Sequence, residues 1–218
     1  MKLNTVIFDM DGLLIDSEPL WKEAAEVIFF TYGKQLTTQQ YISTTGLRTK
    51  EFLAWWFRHF NLPQEEIANA ETLIVNHVIK LVKQQSKPMP GVQYIFNFFL
   101  ERSFKIGLAS SSPPALINLV VDLLGIKDHL QAISSAADMA YGKPHPEVYL
   151  NCAGKLNAIP EECLCFEDSF NGMIAAKAAK MKCIVVPSLQ DTKNPGWGAA
   201  DLKISTLTNF NELLLNTI

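Results

Sequence analysis

Apolar residues in this chain follow two rhythms. Five short runs are apolar at nearly every position: Thr5-Val6-Ile7-Phe8, Lys105-Ile106-Gly107-Leu108-Ala109, Ala132-Ile133-Ser134, Cys163-Leu164-Cys165-Phe166 and Cys183-Ile184-Val185-Val186. Short runs without polar alternation predict parallel strands covered by helices on both faces. A sixth, Leu202-Lys203-Ile204, predicts an edge strand. Between the later runs, residues 92–101, 115–124, 147–156 and 171–181 have the length and spacing of crossover helices. Strand and helix therefore alternate from Gly91 onward, which predicts an α/β fold with a doubly wound parallel sheet.

The first strand breaks that rhythm. The long segment that separates it from the second is helical in pattern at residues 19–32, near Gln39, at 49–60 and at 65–85. Ser17 is expected to cap the first of these helices, with Pro19 inside its first turn. Such a segment predicts a small all-helical cap domain inserted after the first strand, above the strand ends. The expected division is 1–16 and 88–218 for the α/β core and 17–87 for the cap, with Lys87-Pro88-Met89-Pro90-Gly91 as the return hinge.

Composition narrows the function classes. At 218 residues, 48% hydrophobic and 19% charged, the chain has ample apolar material for a core with an insertion. A net charge of −3 offers no basic face for nucleic acid. No run approaches the roughly 20 apolar residues of a membrane span, and the N-terminus lacks a signal-peptide pattern. The four cysteines form no C-x-x-C pair; Cys163 and Cys165 alternate on one face of a strand as buried thiols. A monomer in a reducing cytoplasm, acting on a small molecule, is expected.

In an open α/β sheet, ligands bind beyond the carboxyl ends of the strands. After the first strand come Asp9, Asp11 and Gly12; after the second, Ser110, Ser111 and Ser112. Downstream of the third stands Gly142-Lys143-Pro144-His145-Pro146, and after the fourth Glu167, Asp168, Ser169, Asn171 and Gly172. Each group alone suits an ordinary turn or helix start. Together, four acids, one lysine and a hydroxyl cluster suit Mg²⁺ and phosphate. Asp9 and Asp168 are the expected side-chain ligands, with Glu167 acting through a bound water. Ser110, neighbouring amides and Lys143 are expected on phosphoryl oxygens.

The ordered set F-D-M-D-G-L-L-I-D-S-E, L-A-S-S-S, G-K-P-H-P-E-V-Y and F-E-D-S-F-N-G resembles the four motifs of the haloacid dehalogenase-like hydrolase superfamily. Within it, the chain is similar to the branch of sugar phosphatases and β-phosphoglucomutases. The resemblance implies that Asp9 is a nucleophile forming an acyl-phosphate and that Asp11 is the general acid, then base. It also implies the Asp11 backbone carbonyl as a further metal ligand. Asp11 points to phosphate rather than halide, since the dehalogenases proper lack that second aspartate.

Two activities remain within that branch. The mutase pattern has a histidine where this chain has Trp21 and a lysine where it has Pro113, and its cap arginine is displaced by one from Arg48. D-S-E-P-L-W, T-G-L-R and K-P-H-P-E-V-Y-L instead resemble hexose and hexitol phosphate phosphatases of the 2-deoxyglucose-6-phosphatase type. That resemblance implies a small phosphorylated metabolite as the partner. Gly46, Arg48 and Trp21 are expected to meet it from the cap, Arg48 by its guanidinium and Trp21 as an apolar wall. Trp56 is a further wall candidate, for which packing inside the cap is an equal account.

Overall fold

The computed structural model describes residues 2–218. Strand β1 (Thr5–Phe8) leads into helices α1 (Glu18–Thr31), α2 (Thr38–Ser43), α3 (Thr49–His59) and α4 (Ile67–Gln85). The alternating part follows: α5 (Val92–Leu100), β2 (Lys105–Ser110), α6 (Pro114–Leu123), β3 (Ala132–Ser135), α7 (Glu147–Lys155), β4 (Cys163–Glu167), α8 (Phe170–Ala178), β5 (Lys182–Val185), β6 (Leu202–Lys203) and α9 (Glu212–Leu215). All strand pairings are parallel, in the order β3-β2-β1-β4-β5-β6. The chain winds outward from β1 in both directions. The residues just past β1 therefore stand at the switch point, where a doubly wound sheet opens a crevice.

Both faces of the sheet are apolar, as unbroken runs require. Val6, Phe8, Leu108 and Phe166 belong to one core with α5 and α6. Ile7, Cys163, Cys165 and Cys183 belong to the other, with α7 and α8. Aromatic rings dominate the first: Phe8 stacks on Phe96 and Phe166 at centroid distances of 5.0 and 5.2 Å, and Phe99 packs against Phe8, Phe166 and Phe210. Cys163 and Cys165 do share a face, as buried free thiols.

Helices α1, α3 and α4 pack on one another around Phe29, Phe52, Phe57 and Ile74. The chain enters and leaves this layer through paired segments. Asp16 N–H donates to Lys87 O, and Met89 N–H to Leu14 O, both at 2.9 Å. No helix among the described residues is long and apolar enough to cross a membrane.

Three local departures from expectation have physical causes. Ser17 occupies the N-cap position of α1 without capping it, because its hydroxyl donates to Asp11 Oδ1 instead. The helix expected over 65–85 opens with a 3₁₀ turn at Gln64–Glu66. The helix expected over 171–181 ends early; Lys180 turns left-handed, at φ 63°, to feed β5.

Asp201 fastens the outer edge of the sheet. Its carboxylate accepts from Lys177 at 2.5 Å, Lys182 at 3.1 Å and the Cys183 N–H at 2.8 Å. Burial alone would raise its pKa, but these donors outweigh it and hold the carboxyl below its ordinary 3.8. A depressed carboxyl stabilises the fold above the unfolded pKa and loses that effect as pH falls through the folded one. Asp201→Asn is therefore expected to lower the urea midpoint at neutral pH, with the gap to wild type closing as pH falls through the depressed folded-state pKa of Asp201. A gap that stays constant over that range would contradict the assignment.

Candidate active site

Residues from every carboxyl strand end that the sequence singled out converge at the switch point. Lys143, in the loop before α7, is only 1% exposed. Its Nζ donates to Asp9 Oδ1 at 2.5 Å, Glu167 Oε1 at 2.6 Å and the Ala109 carbonyl at 3.3 Å. A lysine this deep survives as a cation only if anions meet it. Burial opposes its charge, and Asp9 and Glu167 outweigh that, pushing its pKa above the ordinary lysine value.

Glu167 is held from all sides. Besides Lys143, its Oε1 accepts from Tyr149 OH at 2.5 Å. Its Oε2 accepts from the Asp168 and Ser169 N–H groups, both at 3.2 Å, and from Ser169 Oγ at 3.0 Å. Ser169 also caps α8 through the Gly172 N–H. A Cβ on Gly172 would occupy the space of the Glu167 carboxylate, so α8 must begin with glycine there.

Asp11 is fixed as an acceptor. Its Oδ1 takes hydrogen bonds from Ser17 Oγ at 2.7 Å and Trp21 Nε1 at 2.9 Å, and its Oδ2 from Ser112 Oγ at 2.7 Å. Trp21 is thus brought to the site, in a role beyond the expected apolar wall: its indole N–H faces Asp11. The serine cluster divides. Ser111 Oγ donates to Gly46 O at 2.7 Å, and Ser110 Oγ accepts the Ser112 N–H at 3.0 Å, which leaves the Ser110 hydroxyl hydrogen uncommitted.

Asp9, Asp11, Ser110, Ser111, Ser112 and Asp168 line one side of a cavity of about 660 Å³, counting its open mouth. The helical layer lines the other with Glu18, Trp21, Tyr41, Thr44, Thr45, Gly46, Thr49 and apolar neighbours. Arg48 is not brought in. Its guanidinium donates to the Ala136 and Met139 carbonyls and to Glu51, because the chain after Gly46 carries it over the 136–142 loop rather than into the cavity. Trp56 is buried among the helices, its Nε1 on Thr44 Oγ1, so it packs and forms no wall. His145 is exposed, stacks beside Tyr141 and accepts from the Glu147 N–H.

Glu18 escaped the sequence analysis although it ends the quoted D-S-E. Burial, with the charges of Asp11, Asp9 and Asp16, pushes its carboxyl up to about 8. Tyr149 escaped too; only its spacing of six residues from Lys143 could have hinted at a shared partner.

The carboxylates fit a divalent cation. Asp9, Glu167 and Asp168 bring oxygens within 4.8 Å of one another. Gly12, at φ 74°, turns so close to Asp168 that a Cβ would meet its carboxylate. Burial pushes Asp9 up to about 8 and Asp168 well above the carboxylate range, the remaining acids adding to both and Lys143 opposing. One ammonium does not balance these three carboxylates, and a hard cation would supply the missing positive charge.

The pattern of the haloacid dehalogenase-like hydrolase family matches residues 6–186. Hexitol phosphatase B of Escherichia coli (strain K12) is 39% identical over 208 residues, covering 94% of this chain and 92% of that protein. Two solved structures share the fold: CbbY from Rhodobacter sphaeroides in complex with phosphate, at TM-score 0.87, 22% identity and coverages of 99% and 100%, and β-phosphoglucomutase from Clostridium difficile, at 0.85, 24%, and 98% and 96%.

Magnesium is expected to raise the thermal midpoint of the wild type, by about 2.7 kcal/mol of stability at a hundredfold excess over its dissociation constant. In Asp168→Ala that response should be largely lost. An equal magnesium response in both proteins would contradict the site.

Proposed function

We propose that this chain, which belongs to the haloacid dehalogenase-like hydrolases and is a phosphatase, hydrolyses small phosphorylated sugars and polyols such as hexitol and hexose monophosphates. The observation that carries the proposal is the pairing of two unlike surfaces around one cavity. On one side stand Asp9 with Lys143, Asp11 and the serines; on the other stand Tyr41, Thr45 and Thr49, whose hydroxyls suit a polyhydroxy substrate. The curated hexitol phosphatase supports the same substrate class.

In this reading Asp9 attacks phosphorus and the sugar oxygen departs. Its carboxylate becomes an acyl-phosphate, which water then hydrolyses to phosphate and free Asp9. Asp11 gives a proton to the leaving oxygen and takes one from the attacking water. Its hydrogen bonds suit that exchange. Trp21 can only donate, and with Ser17 it fills Oδ1; the Ser112 hydroxyl at Oδ2 can turn from donor to acceptor. Oδ2 is therefore the oxygen that carries the mobile proton. The free hydrogen of Ser110 meets charge on the phosphoryl oxygens, while Lys143, whose three hydrogens go to Asp9, Glu167 and the Ala109 carbonyl, lends its positive charge from behind Asp9. Asp9, Asp168 and the backbone carbonyl of Asp11 would hold Mg²⁺, with Glu167 orienting Lys143 behind them. Magnesium, when bound, neutralises charge on the transferring group.

Residues 17–87 act as a cap that opens for exchange and closes to exclude water, hinged where Leu14–Asp16 pair with Lys87–Met89.

Phosphate release from a panel of hexitol and hexose monophosphates, with magnesium, tests the proposal. Wild type is expected to turn over, Asp9→Asn to be inactive, and Asp11→Asn to lose about 10²–10⁴-fold in kcat. Full activity in Asp9→Asn would overturn it. Interconversion of hexose 1- and 6-phosphates with little free phosphate would favour the mutase instead.

A further inference from the structure

Away from the hinge and from Asp11, where Ser17 and Trp21 donate, three sets of polar contacts tie the cavity's roof to the core. Two are ordinary hydrogen bonds at its rim: Ser111 Oγ to Gly46 O at 2.7 Å and Asn171 Nδ2 to Thr45 O at 2.9 Å. The third is a charged clasp outside the cavity. Arg48 Nη1 donates to the Ala136 and Met139 carbonyls at 3.1 and 2.6 Å, and its Nη2 to Glu51 Oε1 at 2.6 Å. Glu51 in turn accepts the backbone N–H of Gly142 at 3.2 Å and that of Arg48 at 3.3 Å.

Gly142 is the residue before Lys143, so the clasp ends one peptide from the backbone of the lysine whose ammonium holds Asp9. The approach is so close that a Cβ on Gly142 would collide with Glu51 and stand 2.7 Å from Arg48 Nε. Arg48 Nε itself is buried with no partner. An unsatisfied buried donor is a cost that exposure to water removes, so the clasp is closed but not locked. Arg48 and Glu51 come from the helical layer, and residues 136–143 from the core.

We propose that Arg48 and Glu51 are positioning residues. By gripping the backbone of residues 136–142 when the cap is shut, they seat Lys143 between Asp9 and Glu167. Cap closure and arming of the nucleophile then become one event. This rests on the phosphatase reading and its closing cap. It gives Arg48 a role other than contact with substrate.

The test combines hydrogen exchange with kinetics on Arg48→Ala, Glu51→Ala and Glu51→Gln, with thermal midpoints as the folding control. Substrates are sorbitol 6-phosphate and p-nitrophenyl phosphate, which has no sugar. In the alanine variants the Gly142 amide should exchange at least about tenfold faster. Their kcat should fall by about tenfold to a hundredfold, by the same factor for both substrates, while KM moves little. Glu51→Gln keeps an acceptor for Gly142 and should recover most of the loss. Gly142→Ala, which breaks the clasp from the core side, should reproduce it. A KM effect confined to sorbitol 6-phosphate would make Arg48 a substrate ligand, and unchanged kcat in folded variants would make the clasp merely structural; either overturns the proposal. Wild type inactive on both substrates would overturn the phosphatase reading and this proposal with it, whereas active wild type matched by its variants overturns the clasp alone.

Discussion

The ammonium of Lys143, buried between Asp9 and Glu167, is the interaction on which the rest of the site depends. Removing either charge from such a pair leaves its partner stranded in a low-dielectric interior. The surroundings accordingly brace all three groups. Tyr149, Ser169 and two backbone amides hold Glu167, and Gly172 leaves it room. β1 places Asp9 at the centre of the sheet, with its own N–H on the Phe166 carbonyl. The excess of carboxylate over this one cation is what makes the site receptive to a metal.

The two aspartates of F-D-M-D-G have different environments for this reason. Asp9 faces a fixed cation and the neighbouring acids, a setting for an anion that reacts once its charge is balanced. Asp11 faces two hydroxyls and an indole, a setting that tolerates both a carboxylate and a carboxylic acid. In the proposed mechanism the division of labour lies in the donors, not in the two-residue spacing.

How much was legible in the sequence follows from the range of each signal. Strands and crossover helices were readable because burial on both faces, or on one helical stripe, writes a local period. The site was readable because its loops all follow strands, and the sheet gathers strand ends. Directions of individual side chains were not. Ser17 has the composition of a cap, yet its hydroxyl is turned to Asp11, six residues back, and the first amides of α1 find the Ser17 carbonyl rather than its side chain. Arg48 is expected at the substrate by its place near Gly46, but carbonyls some 90 residues away claim its guanidinium. Tyr149 gains its importance from Glu167, a partner that no local pattern reveals.

The mechanism turns on the proposed acceptance of the phosphoryl group by Asp9. It is tested most directly by acid-quenching wild-type enzyme during turnover, reducing the acyl-phosphate with borohydride and mapping the modified residue by peptide mass spectrometry. Conversion is expected at Asp9 alone, absent from unreacted enzyme and from Asp9→Asn. Phosphate release with no modification at Asp9, or with modification at Asp11 or a serine, would contradict it.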